Sequence, residues 1–230
     1  MSNNSNSITS KLSNKQLNRI TNRFVNRKRD RYNQLTHKDL SYPYLINDKV
    51  VATDAHKMVV ASVDKLDYIY TPKEEDVDRK RKIERVMAHF SNQESSTILS
   101  LKNAPLNKLI KFLKTTEKLQ SPDEETGSIS LRVEINFHNE NDTLNFYILY
   151  FDKYDSECEI EHTIESKDMV IPQGYNKEIT LYANSSYLIQ CLMSLVETGN
   201  NHTISFNEPL KPILLENSMI QMILLPMRIL

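Results

Sequence analysis

His56 stands two residues after Asp54 in the segment VATDAHKM, a carboxylate and an imidazole close enough to suggest proton transfer. No activated nucleophile or oxyanion device accompanies the pair, so catalysis has no second partner to work with. The chain contains no HExxH, no GxSxG and no Cys/His cluster at metal-ligand spacing. It has only three glycines, Gly127, Gly174 and Gly199, which excludes a GxGxxG turn and a Walker-type phosphate loop. No cofactor, no metal and no enzymatic activity are expected. Cys158 and Cys191 form no CxxC motif and read as two buried thiols in a reducing cytosol.

Positive charge is the other chemistry on offer. Lys11, Lys15, Arg19, Arg23 and Arg27 recur every four residues, which places them along one slowly drifting row of a helix. Like charges at that spacing repel, a cost that a polyanion along the row would offset. The alternative is a solvated surface helix, and for a lone basic stripe the two readings stand level. Lys108, Lys111, Lys114 and Lys118 form a second such stripe. Residues 1–96 hold 18 Lys and Arg against 12 Asp and Glu, a net of +6, whereas the rest of the chain carries −7. A basic half able to face phosphates is thus joined to an acidic half that limits indiscriminate binding.

The elements that must position these groups follow from periodicity. Leu17, Ile20 and Phe24 predict an amphipathic helix over 12–31, and Val77, Ile83, Val86, Met87 and Phe90 predict another over 74–90. Strands are expected at 49–52, 58–62 and 68–72, the last ending at Pro72. From residue 97 onward, a strand, a helix and a set of alternating strands occur in that order, and then the order repeats. Asn184 or Ser185 caps the second helix of this repeat. Helices packed on one face of antiparallel sheets, in β-α-β-β-β units, make an α+β fold. Residues 1–10 read as a disordered polar tail, and no apolar run is long enough to span a bilayer.

Two segments carry a resemblance. Val51 to Met58, VATDAHKM, resembles the VATDGHRL step of the bacterial sliding clamp, the beta subunit of the replicative DNA polymerase, and LLPMRIL at 224–230 resembles that family's MPMRL ending. ANSSYLIQCLMSL and EPLKPILLE between them resemble the clamp's last helix and penultimate strand, in the same order. Two departures stand out. The family's glycine is Ala55 here, where a positive φ would be penalised, and the family's first domain has no counterpart in this sequence.

The resemblance implies DNA-clamp domains: a shortened one over 11–96 and a complete one over 97–230. It implies a hydrophobic peptide pocket lined by Thr53, Ala55, His56, Lys57 and Met58 on one side and Ile223, Leu225, Pro226, Met227 and Arg228 on the other. Methionines suit such a floor because they repack around varied ligands. It further implies sequence-independent contact with duplex DNA, for which Lys15, Arg19, Arg23, Arg27, Lys108, Lys111 and Lys114 are the candidates. The partners so implied are a DNA polymerase, a clamp loader and further copies of the chain, as a homotrimer or a dimer, at a cytoplasmic replication site. A different class of function stays open, a monomeric mimic that binds clamp partners without encircling DNA. A sequence-specific DNA regulator lacks a recognisable helix-turn-helix.

Overall fold

The computed structural model describes residues 12–25, 40–62, 77–91, 97–119, 131–138, 143–151, 157–171 and 178–227. The expected tail at 1–10, the strand at 68–72 and the basic residues Lys11, Arg27 and Arg228 lie outside them.

The first helix, α1 (Asn14–Arg23), starts at Ser13, whose hydroxyl accepts from the Gln16 backbone N–H while the Gln16 side chain accepts from the Ser13 N–H. This reciprocal capping box satisfies two of the donors that every helix start leaves open. The helix ends at its C-cap Phe24, well short of the expected residue 31. A hairpin follows, β1 (Tyr44–Ile46) and β2 (Lys49–Thr53), turning through Asn47 and Asp48, which both adopt positive φ. That signature of a two-residue hairpin turn was legible in the sequence and escaped the periodicity reading. β3 (Lys57–Ser62) returns against β2, and α2 (Val77–Ser91) comes next.

Two units then follow with the same order. The first is β4 (Thr97–Lys102), α3 (Asn103–Glu117), β5 (Arg132–His138), β6 (Thr143–Phe151) and β7 (Glu157–Ile164); after the short strand β8 (Met169–Val170) comes β9 (Ile179–Asn184), α4 (Ser185–Thr198), β10 (Asn201–Phe206), β11 (Ile213–Glu216) and β12 (Ile220–Leu224). Each unit lends its first strand to the other's sheet, since β4 pairs with β10 and β9 pairs with β5. The exchange ties the units into one body that neither completes alone. Asn184 caps α4 by accepting from the Tyr187 N–H, as its residue type predicts.

The strands form an eight-stranded sheet, ordered β1-β2-β3-β12-β11-β10-β4-β8, and a four-stranded sheet, ordered β7-β6-β5-β9, both antiparallel throughout. β3 pairs with β12, so the hairpin from the first part of the chain extends the sheet of the second. The fold is α+β. The last strand was expected to run through residue 230 but stops at Leu224, where the chain turns off the sheet.

Alternation along β2, β3 and β12 decides which helix covers which face. Val50, Ala52, Val59, Ala61, Met222 and Leu224 join the main core with α1, α3 and α4. Val51, Met58, Val60 and Ile223 point the other way, into a second cluster closed by Ile83 and Met87 of α2. The expectation that the helices share one face therefore holds for α1, α3 and α4 and is corrected for α2. Its reason is that these three strands are apolar on both sides, which leaves a second face in need of cover. In the main core α4 packs against both α1 and α3 and so lies between them. Cys191 of α4 is fully buried there, and burial pushes its thiol up to about 12. Among the described residues no helix is long and apolar enough to cross a membrane.

Candidate functional site

The turn between β2 and β3 is built by its own side chains. Asp54 accepts from the backbone N–H groups of both His56 and Lys57, each at 3.0 Å, and Thr53 Oγ1 accepts from the Ala55 N–H while donating to the Lys57 carbonyl. These bonds hold Ala55 at φ 77°, the left-handed conformation that an alanine resists. The penalty anticipated for alanine in place of glycine is thus present and is overridden by the surrounding hydrogen bonds. Ala55→Gly is expected to raise stability by about 1 kcal/mol, the relieved strain less the extra chain entropy of glycine. Urea unfolding of the two proteins measures it.

Lys57 goes inward. Only 3% of the residue is exposed, and its ammonium pairs with Asp54 and lies 4.6 Å from the ring centre of Tyr187 and 5.5 Å from that of Phe24. His56 stacks on the other side of this assembly, 5.2 Å from the Tyr187 ring and 17° from parallel with it. The Asp54–His56 pairing therefore does not prepare an imidazole for proton transfer. Asp54 is occupied by two backbone donors and an ammonium, a structural role.

Beyond the turn, the His56 carbonyl accepts from the Leu225 N–H at 2.9 Å, which fastens the TDAHK step to the end of β12. A cavity of about 310 Å³ opens at this junction. Met58 and Ile223, cross-strand partners in the β3–β12 register, form its buried floor. Thr53, Ala55, His56, Lys57 and Leu225 contribute to its walls, so most of the residues anticipated from sequence meet here. Pro226 and Met227 lie past the cavity, and the Met227 N–H instead donates to the Tyr182 carbonyl at 2.8 Å.

Leu40 and four residues of α2 complete the lining, namely Arg79, Lys82, Ile83 and Val86. Sequence reasoning had assigned Ile83 and Val86 to an apolar helix face without a partner for that face. The spacing of the four, i, i+3, i+4 and i+7, is the signal that one side of α2 faces one object.

The basic rows fare differently. Lys108, Lys111 and Lys114 stand exposed on α3, and Lys15 is exposed on α1. Arg23 turns toward α4, where its guanidinium meets both carboxylate oxygens of Glu197, at 2.6 and 3.0 Å, and the Ser194 hydroxyl at 3.2 Å. Arg19 adds a contact to the same carboxylate at 3.1 Å while staying half exposed. Glu197 thereby pins α1 onto α4 and neutralises part of the row. Among the described residues no cluster of three or more His, Cys, Asp or Glu is placed to hold a metal ion.

Neither protein-family models nor curated protein sequences match the chain. Solved structures do. The polymerase III beta of Caulobacter crescentus superposes with a TM-score of 0.61 at 13% identity, covering 93% of this chain and 65% of that one. The polymerase III subunit beta of Pseudomonas aeruginosa gives 0.58 at 13% identity over 93% and 64%. A Helicobacter pylori beta clamp bound to a DNA ligase peptide gives 0.57 at 12% identity over 93% and 63%. The chain spans somewhat less than two thirds of the length of these clamps. Identity this low speaks to the fold alone, and the fold is that of the bacterial sliding clamps.

Proposed function

We propose that the chain is a clamp-like processivity factor that holds partner proteins through the cavity between its TDAHK turn and the end of β12. The observation that carries this is the junction itself. The Leu225 N–H to His56 carbonyl bond brings Met58, Ile223 and Leu225 around one apolar cavity, and Leu225 remains 39% exposed at its mouth. An apolar hollow with a few backbone and side-chain polar groups at its edge suits a short peptide. Duplex DNA is the second ligand, met loosely by Lys15, Arg19, Lys108, Lys111 and Lys114, with Arg23 largely committed to Glu197. On this reading residues 11–96 act as a shortened clamp domain and 97–230 as a complete one. Several copies close a ring, and the protein performs no catalysis. The partners are a polymerase and a clamp loader at the replication site.

The pocket is tested by titrating a fluorescent copy of the DNA ligase peptide bound by the Helicobacter clamp against the protein and against Leu225→Ala. Truncating an apolar anchor in a peptide pocket is expected to weaken binding at least tenfold, by about 1.5 to 2 kcal/mol. Equal affinity of the two proteins would remove this reading. The engagement of Arg19 and Arg23 by Glu197 favours a second one, a monomer that binds clamp partners without surrounding DNA. Sedimentation separates them, since a discrete dimer or trimer supports the ring and a monomer at every concentration supports the mimic.

A further inference from the structure

The cavity differs in charge from a plain apolar slot. Its α2 wall presents two cations, Arg79 and Lys82, on the same helix face as Ile83 and Val86, and no Asp or Glu lines it. The third cation of the lining, Lys57, is already matched by Asp54 and sits beneath the rings of Phe24 and Tyr187. Asp78, the acidic residue of the first turn of α2, pairs with Arg81, a residue outside the lining. Val86 at 40% exposure and Leu225 at 39% leave apolar surface open at the mouth, beside the cationic wall. The site thus joins a buried apolar floor, an open apolar rim and uncompensated positive charge at one edge.

We infer that α2 sets the specificity of this cavity, selecting an extended peptide in which a carboxylate side chain flanks the apolar anchors. This rests on the proposal that the cavity binds peptides. The anchors occupy the hollow over Met58 and Ile223, and the carboxylate lies along α2 against Lys82 and Arg79. A phosphodiester backbone fits less well, because it would set two cations against phosphate while leaving the apolar floor uncovered. The basic residues of α3 that suit duplex DNA belong to the other side of the eight-stranded sheet from α2. Charge complementarity of this kind acts mainly on partner choice and association rate, and salt weakens it.

The experiment uses the full chain and the ligase-derived peptide in two versions, with Asp-Asp or Lys-Lys beside the apolar residues. Both are titrated by fluorescence anisotropy against the wild type, Lys82→Met and Lys82→Glu, with circular dichroism checking that each variant retains its helix. The acidic version is expected to bind the wild type about fivefold more tightly than the basic one, as two weak, partly exposed ion pairs allow. The preference should shrink in Lys82→Met, invert in Lys82→Glu and fade between about 50 mM and about 500 mM salt. Equal binding of both versions to all three proteins would overturn the inference and leave the pocket standing. Absence of binding by either version would overturn both. Displacement of the acidic peptide by an equal concentration of short duplex DNA would also overturn it, by assigning the α2 cations to nucleic acid.

Discussion

Lys57→Ala is expected to destabilise the protein by about 3 kcal/mol, the cost typical of removing one partner from a buried ion pair. The ammonium is nearly inaccessible and has three neighbours, the Asp54 carboxylate and the rings of Phe24 and Tyr187. Alanine removes the charge and leaves a gap between α1, α4 and the TDAHK turn. Asp54 keeps its two backbone donors but loses the cation that balances it. Lys57→Met fills most of the gap, so its smaller loss would isolate the charge contribution from the packing one. The measurement is the urea midpoint at unchanged slope. A loss below about 1 kcal/mol for Lys57→Ala would mean that the pair is hydrated in solution and that the turn rests on its backbone bonds alone.

Ile83→Ala is expected to release α2 while leaving the rest of the fold in place. Ile83 is 4% exposed and packs into the cluster of Tyr44, Ile46, Val51, Met58, Val60 and Ile223, whereas Val77 and Val86 of the same helix are each 40% exposed. Truncating a buried isoleucine costs about 2 to 4 kcal/mol. The helix has little else to draw on. Fifteen residues are marginal as an isolated helix in water, and the run Arg79, Lys80, Arg81 and Lys82 places like charges beside one another. Hydrogen exchange should lose protection across 77–91 with little change in the strands of the main core. The melting temperature should fall by much less than a main-core truncation would cause. Retained protection in α2 would show that Met87 and the other flanking contacts suffice to dock it. Peptide binding by this variant should lose its dependence on the charge of the flanking residues, because the wall carrying Lys82 is gone.

Much of this architecture was legible in the chain before any coordinates. Helix and strand periods differ, so Leu17, Ile20 and Phe24 marked α1, and the alternation in TLNFYILYF marked β6. The cap at Asn184 followed from its side-chain oxygen, which satisfies an open N–H of the helix start. Repetition of the β-α-β-β-β order likewise foretold two matching units. The hairpin turn at Asn47 and Asp48 was equally legible through its residue types and was overlooked because period alone was followed. Strand ends were harder. LLPMRIL reads as a continuation of β12, yet the Leu225 and Met227 N–H groups find partners in the His56 and Tyr182 carbonyls, away from β12's own sheet neighbour β11.

For the cavity, the two segments VATDAHKM and LLPMRIL pointed to one place only through their resemblance to a known pair, since nothing local links residues so far apart in the chain. Pairing of β3 with β12 supplies the physical link, setting Met58 against Ile223. Two outcomes had no local signal at all. A basic row spaced by four shows which residues share a helix side and leaves open that Glu197 will turn Arg23 inward, because the carboxylate comes from another helix 174 residues further on. An apolar stripe on α2 shows that the helix must bury a face and leaves open which one it meets. Burial of apolar surface is non-directional, and any large enough apolar surface satisfies it. The sequence therefore determined the kind, order and apolar faces of the elements, each fixed by backbone period and local hydrogen bonding. Tertiary structure alone decided that α2 lies across the sheet from the other helices and walls the cavity with cations, because only assembly creates the second apolar face of β2, β3 and β12 on which it rests.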